Sequence, residues 1–66
     1  DGAALTPRER EVLFCLQRGE SNKQIARVLD IQETTVKLHL RSLALKLEAR
    51  NRTEVVVKAI QSGLIA

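Results

Sequence analysis

The 66-residue chain carries 11 Lys and Arg against 8 Asp and Glu, a net charge of +3, with one Cys and one His. At this length it is one domain, of a size that buries only roughly 60% of its unfolded surface. No covalent staple assists it: the lone Cys15 excludes an intrachain disulfide, and one Cys with one His is too few strong ligands for a metal site.

No apolar run is long enough for a bilayer and no signal-peptide pattern is present, so a membrane-spanning or secreted disulfide-rich class is excluded. A reducing, cytoplasmic setting is expected. Asp1-Gly2-Ala3-Ala4 has the character of a linker remnant, which leaves residues 5–66 as the folded domain.

Helix starts are legible in chain order. Thr6-Pro7-Arg8-Glu9 is a capping box with Pro at the first helical position, whose missing amide had no partner in any case. The first helix is predicted to run to about Arg18, with Gly19 as its stop and Val12, Leu13 and Leu16 as its apolar face. Ser21-Asn22-Lys23-Gln24 repeats the box, and the second helix covers about Asn22–Leu29 with Ile25, Ala26, Val28 and Leu29 inward. The third covers about Glu33–Leu47 and has the weakest start, because Gln32 is a poor cap. Asn51-Arg52-Thr53-Glu54 is a third box, and the last helix runs to about Ser62 with Gly63 as its stop. The only β-branched run, Val55-Val56-Val57, sits inside that helix, so the fold class is all-α: a compact four-helix domain.

Only Asp30, Ile31 and Gln32 join the second and third helices, which is the spacing of a helix-turn-helix. Ala26 is small enough for close approach, and Asp30 stands where the chain often turns left-handed, a conformation Asp tolerates. A plain two-helix corner has the same spacing, so the third helix must decide. Its Val36, Leu40, Leu43 and Leu47 make one buried stripe. Another face carries Thr34, Lys37, Leu38, Arg41 and Leu45, where two long cations flank an apolar side chain. That mixture suits the major groove, because Arg or Lys donates to guanine O6 and N7 and an apolar group meets a thymine methyl. On the flank, Thr35, His39, Ser42 and Lys46 carry donors that suit phosphate oxygens, as do Asn22 and Lys23 at the start of the second helix. Charge follows the same division. Lys37, Arg41, Lys46, Arg50, Arg52 and Lys58 against Glu48 and Glu54 give residues 37–66 a balance of +4, while residues 1–36 stand at −1.

Leu5-Thr6-Pro7-Arg8-Glu9-Arg10-Glu11-Val12-Leu13, Ser21-Asn22-Lys23-Gln24-Ile25-Ala26, Thr35-Val36-Lys37-Leu38-His39, Lys46-Leu47 and Asn51-Arg52-Thr53-Glu54 together resemble the LuxR-type helix-turn-helix domain. This is the output domain of NarL/FixJ response regulators and quorum-sensing activators. The resemblance runs in register from residue 5 to about 65. It implies double-stranded DNA as partner, the third helix in the major groove, and a homodimer formed through the fourth. Base contacts fall to Thr34, Lys37, Leu38 and Arg41, and phosphate contacts to Asn22, Lys23, Thr35, His39, Lys46 and Arg52. Val55, Val56, Ala59 and Ile60 would face the core, leaving Val57, Lys58 and Gln61 for the dimer. The further partners implied are an N-terminal receiver or ligand-binding domain and RNA polymerase. No cofactor is implied. Gln32 in place of the usual Ser and Asp30 in place of the commoner Gly depart from the family pattern.

His39 also reads as an ordinary surface imidazole, Cys15 as an inert small core residue, and Phe14 as either exposed or partly buried. A sigma-factor-like promoter-reading domain resembles residues 5–26 only, and a protein-interaction module leaves the cationic face unexplained. Catalysis is not expected, since no acid, base and nucleophile converge on a pocket.

Overall fold

Helix boundaries follow the capping residues. The computed structural model describes residues 4–65 and contains α1 (Pro7–Gln17), α2 (Asn22–Leu29), α3 (Glu33–Leu47) and α4 (Arg52–Gln61). The expected linker remnant, residues 1–4, lies outside the described residues apart from Ala4. Both early capping boxes close in both directions. The Glu9 amide donates to Thr6 Oγ1 (3.1 Å) and the Thr6 amide to Glu9 Oε1 (2.9 Å); Gln24 and Ser21 repeat this at 3.2 and 2.8 Å. The third box closes only halfway. The Glu54 amide donates to Asn51 Oδ1 (2.9 Å), but the Glu54 carboxylate accepts from the Arg50 amide (2.8 Å). The cause is the backbone: φ is −157° at Asn51 against −71° and −74° at Thr6 and Ser21, which turns the Asn51 amide away from the first turn. Gln32, as expected, makes no side-chain cap.

The four helix ends share one device. A left-handed residue stands after each, at Gly19, Asp30, Glu48 and Gly63. The next amide then donates back across six residues: Glu20 to the Cys15 carbonyl, Ile31 to Ala26, Ala49 to Ala44 and Leu64 to Ala59, at 2.8–3.1 Å. Glycine takes this conformation at no steric cost and Asp tolerates it. Glu48 does not have that tolerance, and its carbonyl is additionally held by Lys58 Nζ (2.6 Å).

The core is a layer shared by all four helices. Val12, Leu13 and Leu16 of α1, Ile25 and Ala26 of α2, Val36 and Leu43 of α3, and Val55 and Ala59 of α4 are buried together. Leu5 and Ile65, which the helical patterns did not reach, complete it at the two ends of the chain. Cys15 is buried among them, and burial together with its hydrogen bond to Glu20 pushes the thiol pKa up, consistent with an inert core thiol.

Two expected inward residues face out: Val28 is 54% exposed and Ile60 47%. Val28 lies about 60° outside the arc of Ile25, Leu29 and Ala26, and Ile60 lies about 100° beyond Ala59 on the far side of Val56. Each of these short helices buries a single narrow arc, so a helix rich in apolar residues still leaves some outside it. Phe14 is exposed. Among the described residues no helix is long and apolar enough to cross a membrane.

Candidate nucleic-acid interface

The turn between α2 and α3 is set by Asp30, at φ 56° and ψ 49°, and closed by the Ile31–Ala26 bond (3.0 Å). Ala26 is buried and Ile31 packs against the core, so the two helices meet on small and apolar contacts. α3 then packs against α1, α2 and α4, and one of its faces is left to solvent.

That face carries the residues expected to read bases. Thr34, Lys37, Leu38 and Arg41 are exposed, with Leu38 at 66% and Leu45 beyond it at 73%. Lys37 and Arg41 have no hydrogen-bond or ion-pair partner among the described residues, and neither does Lys23 at the start of α2. In contrast, Arg8, Arg18, Lys46 and Arg50 are in ion pairs, and Arg52 and Lys58 are tied to polar groups of the chain itself. A cation on a helix surface loses rotamer entropy and hydration when it is fixed. Leaving two long cations free beside an exposed leucine keeps their donors available to an outside acceptor.

The flank of α3 is different. Thr35, His39, Ser42 and Lys46 are half-buried. Ser42 Oγ donates to Glu9 Oε2, and Lys46 Nζ donates to Glu9 Oε1 (2.7 Å) and to the Ala4 carbonyl (3.2 Å). Glu9 is 4% exposed, the one charged side chain in the buried set. Burial alone would push its carboxyl up. The hydrogen bonds from Lys46, Ser42 and the Thr6 amide, with the Lys46 charge, outweigh that and hold it at about 2 against an ordinary 4.5. Lys46, expected as a phosphate ligand, is thus engaged inside the domain. From its sequence position Glu9 reads only as a cap partner. Its pairing with residues 33 and 37 positions away has no local signal.

Two further expected phosphate ligands also meet one another. Arg52 Nη1 donates to Asn22 Oδ1 (2.7 Å) and Arg52 Nη2 to the Glu20 carbonyl (2.8 Å), which ties the start of α4 to the start of α2. On α4, Val57 and Gln61 are exposed, while the expected dimer residue Lys58 is half-buried and caps the end of α3. An open cleft lined by Leu16, Arg52, Thr53, Val56 and Val57 lies beside them. Among the described residues no group of His, Cys, Asp and Glu is arranged to hold a metal ion.

Residues 3–59 match the family described as bacterial regulatory proteins, luxR family. The transcriptional activator protein SolR of Ralstonia nicotianae is 49% identical over 63 residues, covering 96% of this chain and 27% of SolR. The nitrate/nitrite response regulator protein NarL of Escherichia coli K12 is 47% identical over 53 residues, 80% of this chain and 24% of NarL. Among solved structures, the response regulator ChrA of a heme-sensing two-component system superposes with a TM-score of 0.91 at 47% identity, over 94% of this chain and 31% of ChrA. The transcription factor GerE superposes with a TM-score of 0.87 at 34% identity, over 94% of this chain and 92% of GerE. The chain spans about a quarter of the length of SolR and NarL. By sequence, by fold and by the helix-turn-helix at its centre, the chain belongs to the LuxR family of bacterial regulatory proteins, as a DNA-binding domain.

Proposed function

We propose that this domain reads base pairs of double-stranded DNA by laying α3 in the major groove. The observation that carries the reading is the pair of exposed cations, Lys37 and Arg41, which lie on either side of Leu38 and have no partner among the described residues. Lys37 and Arg41 donate to acceptors on base edges, Leu38 meets a thymine methyl, and Thr34 adds a hydroxyl at the leading end of the helix. Lys23, Thr35 and His39 hold phosphates and set the register of the helix in the groove. Asn22 and Arg52 hold the start of α2 in place and present the remaining donors of Arg52 to the backbone. Lys46 leaves the phosphate set, because its ammonium already serves Glu9.

Two copies bind two half-sites about one helical turn apart and meet through Val57 and Gln61 on α4. So small a contact is weak without DNA. In the whole regulator the domain works in the cytoplasm behind an N-terminal receiver or ligand-binding domain and delivers its output to RNA polymerase. Enrichment of bound duplexes from a random pool tests the reading. It should return one short motif repeated with two-fold symmetry, and a pool that shows no enrichment overturns base reading by this chain.

A further inference from the structure

α3 is held on two sides by different physics. Its apolar stripe, centred on Val36 and Leu43, packs by contacts with little directional preference. Ser42 and Lys46 sit one turn apart, about 100° around the helix from that stripe and about 115° from the exposed cationic face. Both donate to one carboxylate, Glu9, which is itself fixed to the start of α1 by the Thr6 amide (2.9 Å). Hydrogen bonds have narrow limits of length and angle. A pair of them placed a quarter-turn from the packing stripe therefore resists rotation of the helix about its own axis, which apolar packing alone resists poorly.

We propose that Glu9 is a positioning residue for DNA reading: through Ser42 and Lys46 it sets the rotation of α3 about its axis, and so the direction in which Lys37, Leu38 and Arg41 meet the bases. Rotation by about 20° at a side-chain radius of about 6 Å moves a reading group by about 2 Å, more than a bidentate contact to a base edge tolerates. Phosphate contacts tolerate such a shift better, since long flexible cations follow the backbone. Loosening the Glu9 cluster therefore lowers discrimination between sequences before it lowers affinity for duplex DNA in general. The proposal rests on α3 being the DNA-reading helix.

The test compares two duplexes, one enriched from a random pool by the wild-type chain and one with its half-site base pairs scrambled. Circular dichroism melts first show what fraction of each variant is folded at the assay temperature, and affinities are expressed per folded chain. Glu9→Gln should lower affinity for the enriched duplex about tenfold and leave affinity for the scrambled duplex equal or higher. Removing a negative charge would by itself strengthen binding to both, so the two effects differ in sign. Ser42→Ala, which changes no charge and removes one bond, should lose about threefold in discrimination. Lys46→Arg should retain wild-type discrimination. Lys46→Met should lose it while the salt dependence of scrambled-duplex binding stays unchanged.

If Glu9→Gln and Ser42→Ala discriminate like wild type, or weaken both duplexes equally, Glu9 has no positioning role. If Lys46→Met flattens the salt slope by about one, Lys46 is a phosphate ligand and the cluster is not its function. Should Glu9→Gln not fold, Ser42→Ala and Lys46→Met decide. A wild-type chain that never discriminates would overturn the reading of α3 itself, an outcome distinct from all of these.

Discussion

The outward face of α3 and the flank that meets α1 carry the same kind of charge and use it in opposite ways. Arg41 and Lys37 are exposed and have no partner among the described residues. Lys46, one to three turns further along the same helix, is 26% exposed at its side chain and pairs with a buried carboxylate at 2.7 Å. A count of cations on a helix therefore does not measure its capacity for an anionic partner. A cation already tied to groups of its own chain has fewer donors to offer one. Among the described residues Lys23, Lys37 and Arg41 are untied, as are Arg10 and Arg27, whereas Lys46, Arg52 and Lys58 each donate to groups of the chain itself.

Substitutions on the two sides should therefore separate stability from binding. Glu9→Ala removes the acceptor shared by Ser42, Lys46 and the Thr6 amide and should cost about 2–4 kcal/mol of folding stability in urea melts. A cost below about 0.5 kcal/mol, the level of an ordinary surface change, would mean that the cluster contributes little. Lys46→Ala leaves the buried Glu9 carboxylate with two of its partners and without its counter-charge. It should destabilise by about 1–2 kcal/mol in the same melts, with the salt dependence of DNA binding unchanged.

Acid provides a second view of the same cluster. The folded-state pKa of Glu9, about 2, lies below its ordinary 4.5. Its contribution is therefore complete above pH 4.5 and is lost progressively as pH falls from there towards 2. Subtracting a Glu9→Gln melt series from the wild-type series should isolate a component confined to that window. A difference that is flat across it would contradict the cluster as drawn. The smallest effect is expected at the uncapped start of α3. Gln32→Ser should add about 0.5–1 kcal/mol and raise Tm by several degrees, since a hydroxyl there takes up an amide that no side chain now serves.

Most of what was legible in the sequence is written within about two helical turns. Thr6 and Ser21 with their third-position partners mark two helix starts, Asp30 marks the left-handed turn, and the spacing of Val36 and Leu43 marks the inner face of α3. What it concealed needs the relative placement of helices. Glu9 reads as a cap residue because Thr6 is three positions away, while its bonds to α3 cross more than thirty residues. The half-formed box at Asn51 depends on a φ angle that residue type does not dictate. Val28 and Ile60 read as core because they are apolar, yet burial is decided by the width of the arc that each short helix presents. Glu48 gave no sign of a left-handed helix end, because its stabiliser, Lys58, lies on the next helix.

Base reading by the outward face of α3 is tested by the affinity of Lys37→Ala and Arg41→Ala for the enriched duplex and for its scrambled counterpart, with melts run alongside. Each substitution should cost about 1–3 kcal/mol on the enriched duplex, relax its base preference and leave stability within about 0.5 kcal/mol. If both variants bind the enriched duplex as tightly as wild type, α3 does not read DNA through this face.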